Sequence, residues 1–186
     1  MQRFAMSDSK KNSLVFNCVV NSGMGMYSEL EFPSHPLWPA EMHAGSLNAN
    51  ILPKGFPRAL DKMGEGWGVQ KLDNKKFSAL FNIAQSDIGN NMLTPRADNP
   101  ERGTAQIWGC TVTTADKSTE FNAWAVRRIG SAYSDVIEIM SDKHLRNTYG
   151  LENGTEITVK LHEGQNNAQQ EQQSKNWLQK FKNILG

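Results

Sequence analysis

Over the first 163 residues, apolar and polar positions form short runs that suit strands better than helices. Residues 14–20 (LVFNCVV) are rich in β-branched and aromatic side chains. Residues 105–114 (AQIWGCTVTT) and 121–129 (FNAWAVRRI) have the same character and flank a polar stretch, 115–120, which predicts a hairpin. Residues 134–140 (SDVIEIM) predict a further strand. Residues 155–161 alternate, placing Ile157, Val159 and Leu161 on one face. One helix is well signalled: Ser141 or Asp142 can cap its start, Leu145 and Tyr149 face inward, and Gly150 supplies a left-handed stop. Asn153-Gly154 then turns tightly into the last strand. The region 53–103 contains Pro57, Pro95 and Pro100 and the run Gly64-Glu65-Gly66-Trp67-Gly68. It predicts a short helix near 58–63, a strand near 77–83, and irregular loop after it. Short strands, frequent turns and little helix imply a mainly β chain, folded as a small barrel or sandwich.

The pattern changes at Gly164. Residues 164–175 (GQNNAQQEQQSK) hold one alanine and no larger apolar side chain, a composition that reads as a disordered linker. Beyond it Trp177, Leu178, Phe181, Ile184 and Leu185 share one face of a short amphipathic helix over 177–185. That face has three candidate resting places: the chain's own barrel, a partner protein, or a membrane surface. The expected organisation is therefore one barrel domain over 1–163, with a long insert around 53–104, and a tail over 164–186.

Charge sharpens this division. The 186 residues carry a formal +1. The tail holds Lys175, Lys180 and Lys182 against Glu171 alone, a net of +2 that leaves the body at −1. A body of that sign does not suggest a nucleic-acid partner. No stretch reaches the ~18–20 apolar residues of a membrane helix, and the first residues have no apolar run of the secretory kind. Cys18 and Cys110 both lie in strand-like runs and read as buried, reduced thiols in a cytoplasmic protein, not as a disulfide.

Four places hold candidate chemistry. Asn21-Ser22-Gly23-Met24-Gly25 follows the first strand, and its glycines allow either an anion-binding nest or an ordinary hairpin turn. In Gly45-Ser46-Leu47-Asn48, Ser46 and Asn48 project to one face, about 6–7 Å apart along a strand. A hydroxyl and an amide oxygen suit a hard cation such as Mg²⁺, or simply cap a turn. Glu138 is a lone carboxylate in Val136-Ile137-Glu138-Ile139, either solvated or a hydrogen-bond acceptor or base in a pocket. The Leu145-Arg146 pair offers a guanidinium to phosphate or base, or to solvent. His35, His43, His144 and His162 lack zinc spacing, although His43 precedes Ser46 by three residues. Arg127-Arg128 sends one charge to each face of its strand. No nucleophile elbow and no Walker motif occurs.

The order of these features along the chain is more telling than any one of them. A strand, S-G-M-G, G-S-L-N, a hairpin, V-I-E-I-M and H-L-R-N-T-Y-G-L-E-N-G-T-E-I-T-V follow one another. The chain resembles the archaeal-type CTP-dependent riboflavin kinases, as a divergent member. Those proteins carry S-G-L-G-E-G after the first strand, then G-T-L-N, then an I-I-E-I strand, an L-R helix and an N/D-G turn into a closing strand. The matching blocks are 14–26, 43–51 and 105–161, somewhat under half of the chain, with no gap over 121–149.

The resemblance implies a small Greek-key β-barrel of the cradle-loop type with one or two short helices. It implies transfer of a phosphate from a nucleotide, CTP in the family, to riboflavin to give FMN, with Mg²⁺ as cofactor and CDP as product. It places the nucleotide on Ser22, Gly23, Met24 and Gly25 and under Lys143, His144, Leu145 and Arg146. It places Mg²⁺ on Ser46 and Asn48, where serine keeps the hydroxyl of the family's threonine. The flavin falls near Tyr133, Ser134 and Glu138, with Glu138 the candidate catalytic residue. There are departures. The family's acidic residue and third glycine become Met26 and Tyr27, its histidine-serine pair becomes Ala132-Tyr133, and the stretch after G-S-L-N is longer. These changes bear on the activity. Two alternatives therefore stand beside the transferase: a non-catalytic barrel binding a nucleotide or flavin-like ligand, and a protein-interaction or regulatory barrel.

Overall fold

A computed structural model describes residues 13–22, 32–37, 42–52, 77–89, 93–131 and 135–164. The expected helix near 58–63, Gly23, Met24, Gly25, Tyr133, Ser134 and the tail beyond Gly164 lie outside these residues. The chain is mainly β, as its pattern predicts. Its strands are β1 (Ser13–Asn21), β2 (Leu47–Ile51), β3 (Phe81–Ile83), β4 (Ala105–Thr114), β5 (Glu120–Arg128), β6 (Val136–Met140) and β7 (Glu156–His162). One α-helix, α1 (Leu145–Tyr149), and a 3-10 turn (Gln85–Asp87) complete the described elements.

All strand pairings are antiparallel, in the order β3-β4-β5-β6-β2-β1-β7. A second pairing of β4 with β7, from Cys110↔Leu161 to Thr114↔Ile157, closes six strands into a barrel and leaves β3 as an extra strand. The run β4-β5-β6, with β7 returning beside β4, is a Greek key. The β4–β5 hairpin is held by Asp116. Its Oδ1 accepts from Thr114 Oγ1 at 2.6 Å, Ser118 Oγ at 2.8 Å and Ser118 N at 3.0 Å. Those bonds hold the Asp116 carboxyl down at about 2.

Strict alternation decides what fills the barrel. Phe16, Cys18 and Val20 of β1 point inward, with Leu47, Ala49 and Ile51 of β2 and Ile157, Val159 and Leu161 of β7. Trp108 is fully buried at the centre, and its indole N–H donates to the Phe77 carbonyl at 3.3 Å. Phe121 of β5 stacks on Tyr149 of α1 with ring centroids 4.0 Å apart, so the helix is pinned to the barrel by an aromatic pair.

A second apolar cluster covers part of the outer surface: Phe81, Ile83, Ile88, Ala105, Ile107, Val126 and Met140, with Phe32, Met42 and Trp124 packed on it. Its existence explains why β4 is buried at almost every position over its first half and does not simply alternate. It also explains why β3 is shorter than the expected 77–83. Phe77 belongs to the barrel core while Phe81 lies on the outer cluster, so the chain crosses between the two layers before it can pair.

The start of α1 also differs from expectation. His144, not Ser141 or Asp142, is its N-cap, with Nδ1 accepting from the Asn147 N–H at 3.2 Å. Ser141 is still engaged with the strand layer, because its carbonyl accepts from His43 N at 2.9 Å, and the helix cannot begin until the chain leaves that contact. Gly150 ends the helix at φ 64°, as its position predicts.

Cys18 and Cys110 are free, buried thiols, and burial pushes both up to about 12. Neither should react with a thiol reagent such as DTNB in the native protein at neutral pH, and both should react in denaturant. A native thiol titrating at the rate of free cysteine would contradict this burial.

Candidate functional site

Closure brings one end of the barrel together from distant parts of the chain. The end of β1, the start of β2, the end of β6, α1 and the turn after it form a single rim. The Arg146 guanidinium donates to the Asn21 carbonyl at 2.8 Å and to the Leu151 carbonyl at 3.4 Å. Asn153 Nδ2 donates to Ser22 Oγ at 2.6 Å, and Gly154 N donates to the Val20 carbonyl at 2.8 Å. The His43 ring meets the His144 ring edge to face at 4.7 Å. Thus Ser22, where the glycine-rich loop begins, is clamped against the turn that follows α1.

Four of the segments singled out by sequence meet here, in different roles. His144 caps the helix, Leu145 anchors it in the core, Arg146 braces β1, and Lys143 is exposed. Ser46 Oγ stands 3.5 Å from Asn48 Oδ1. Asn48 is 8% exposed although polar. Cross-strand register places Asn21 opposite Asn48, and Asn48 opposite Glu138. The same line continues through Val126, Ile107 and Phe81. On the barrel's outer face, one row therefore runs carboxamide, carboxamide, carboxylate, and then three apolar side chains.

The position of Glu138 at the junction of those halves governs its chemistry. It is half-buried, and burial raises its carboxyl above the ordinary range, opposed by the positive charges of Arg128 and then Arg127. Arg128 is itself 4% exposed, and burial lowers it to about 10 against the pull of Glu138. A carboxyl displaced toward neutrality is suited to accepting a proton from a weakly acidic hydroxyl.

Ser46 Oγ and Asn48 Oδ1 are neutral oxygen donors of the kind a hard divalent cation takes, and Glu138 lies opposite Asn48 in the strand register. No group of three His, Cys, Asp or Glu residues able to hold a metal occurs among the described residues. Sequence reading overlooked Asn21 and Asn153. Asn21 was legible from alternation on β1, which puts it on the face opposite inward Val20, whereas Asn153 was read only as a turn residue, and its contact with Ser22 spans 131 positions.

The chain matches no family model and no curated protein. No helix among the described residues is long and apolar enough to cross a membrane.

A raised carboxyl makes Glu138 a destabilising residue when ionised. The native state then binds the proton more tightly than the unfolded chain, so stability is fully present below the ordinary value of 4.5 and falls as pH rises through the higher native value. Glu138→Gln should therefore gain stability relative to the parent between about pH 4 and about pH 7.5. Urea unfolding of both proteins at the two pH values measures this, and a constant difference would contradict it.

Proposed function

We propose that this barrel is a riboflavin kinase-like phosphotransferase, moving a nucleotide's terminal phosphate to the ribityl hydroxyl of a flavin. The observation that carries the reading is the convergence of Ser22, Ser46, Asn48, Glu138 and the 143–146 segment around one rim and one outer row, from stretches up to 124 positions apart. Those are the segments that the family resemblance assigns to nucleotide, metal and flavin.

In this reading the hydroxyl oxygen attacks the terminal phosphorus. An oxygen–phosphorus bond forms as the bond to the nucleoside diphosphate breaks, and the hydroxyl proton passes to Glu138. Ser46 and Asn48 would hold Mg²⁺, which when bound supplies charge screening for the phosphates. The chain's own contribution is positioning and electrostatics. Ser22 would contact phosphate oxygens, with Lys143 an exposed cation at the start of the helix side of the rim. Asn48, fixed between Asn21 and Glu138, sets the spacing of metal and base.

One observation favours a second reading, a barrel that binds nucleotide or flavin without transfer. The Arg146 guanidinium donates to two backbone carbonyls and so braces the rim, a role that needs no phosphate.

Incubation with riboflavin, Mg²⁺ and either CTP or ATP, followed by chromatography for FMN, separates the readings. The transferase yields FMN, and Asn48→Ala should lose Mg²⁺-dependent turnover by about 100-fold or more while the barrel stays folded by circular dichroism. Ligand binding without FMN selects the second reading. Full activity of folded Asn48→Ala would remove the metal assignment.

A further inference from the structure

The inward face of the barrel is polar where β4 starts and β5 ends, at the opposite end from the rim. Gln106 and Arg127 stand opposite one another in the β4–β5 register and share the inward parity of Trp108 and Ala125. Each is 4% exposed. On its other edge Gln106 pairs with Asn82 of β3, which is exposed. One row therefore runs from solvent inward as carboxamide, carboxamide, guanidinium.

The backbone beneath this row is firmly held. Gly103 N donates to the Ile129 carbonyl at 2.8 Å and Ile129 N to the Thr104 carbonyl at 2.9 Å, so the β4–β5 ladder continues past its end. Gly103 has φ 94°, and a Cβ on it would run into the Leu93 carbonyl oxygen. Its own carbonyl accepts from Arg128 Nε at 2.5 Å, and Arg127 Nη2 donates to the Ser131 carbonyl at 3.4 Å. Gln106 Oε1, by contrast, is buried with no hydrogen-bond partner among the described residues. A buried carbonyl oxygen without a donor is costly, and methionine would fill the same place without that cost.

We propose that this row binds a neutral cyclic amide, a planar ring whose N–H stands next to its carbonyl. The ring N–H donates to Gln106 Oε1, and the adjacent carbonyl accepts from the guanidinium of Arg127, its cross-strand neighbour. The acceptor sets the class of ligand. Arg127 alone would draw a carboxylate or phosphate, but the lone pairs of Gln106 Oε1 repel an anionic oxygen and require a donor. Trp108, the next inward residue of β4, keeps the surroundings of that polar edge apolar, and exposed Asn82 marks the side from which the ligand enters. The site lies apart from the rim and the outer row and does not depend on the transferase reading.

The experiment titrates the full chain with uracil as the probe, followed by saturation-transfer NMR and by the thermal midpoint. Uracil should bind saturably and raise the midpoint, whereas 1,3-dimethyluracil, which keeps both carbonyls and lacks both N–H groups, should do neither. Gln106→Met should melt at or above the parent when free, because the orphaned oxygen is gone, and should bind uracil at least about tenfold more weakly. If that variant does not fold, the comparison of uracil with its dimethyl analogue still decides the matter in the parent. Absence of saturable binding up to about 10 mM, the range of a probe this small, would overturn the proposal and leave Gln106 to a trapped water only. Equal uracil binding by parent and Gln106→Met would also overturn it, as would tighter binding of acetate than of uracil, which would make the row an anion site of Arg127.

Discussion

Closure of the sheet between β4 and β7 is the constraint on which the rest depends. One edge of β4 serves β3 over residues 105–107 and β7 over residues 110–114, while its other edge is taken entirely by β5. A sheet closed in this way must tilt its strands, and the tilt decides which strand ends share a rim. Asn21 and Arg146 are brought together by that geometry and by nothing local in the chain. Closure also removes the free edges that an open sheet of short strands would offer to other chains.

A closed barrel has two faces, and here they are used differently. The inner face is apolar around Trp108, with the buried pair Gln106 and Arg127 beside it in the β4–β5 register. The outer face is divided, apolar where the segments at 32–37 and 77–89 cover it and polar where β1, β2 and β6 meet. Glu138 stands at the boundary, close enough to the apolar half to lose solvent and close enough to Arg128 to keep a counter-charge. Ionised, it works against folding, and a barrel selected for stability alone would place a neutral or apolar residue there.

Much of this was legible in the chain. Runs of β-branched and aromatic residues, with alternation in the last strand, located five of the seven strands to within two residues, because each has one face in a dry interior. Gly150 marked the helix end for a stereochemical reason that operates at one residue. What could not be read depends on register. A β4 that is apolar on both faces looks like any buried strand, so the outer cluster stayed hidden, and with it the shortening of β3. The cap fell to His144 because of a backbone contact with His43, which lies 98 positions upstream of Ser141. Ser46 and Asn48 were visible as a same-face pair, but their alignment with Asn21 and Glu138 required three strands in known order. Gly103 offered no motif at all, since its role is set by the collision a side chain would make with Leu93.

These points change how the extra length after G-S-L-N should be understood. Material added to a barrel usually sits on loops and leaves the core alone. Here Phe77 enters the barrel core and receives the Trp108 N–H, β3 extends the sheet, and Gly103 holds a buried guanidinium. Removing the segment would leave a buried indole donor without its acceptor, strip the cover from Ile107 and Val126, and free Arg128 in a dry environment. Each of those is costly to leave unmet. The segment is therefore structural for the barrel as well as adjacent to the row that ends in Glu138. The apolar half of the outer face, which adjoins Glu138, thus takes Phe81, Ile83 and Ile88 from this segment and Ala105, Ile107, Val126 and Met140 from the barrel strands themselves, so segment and barrel share one packed layer.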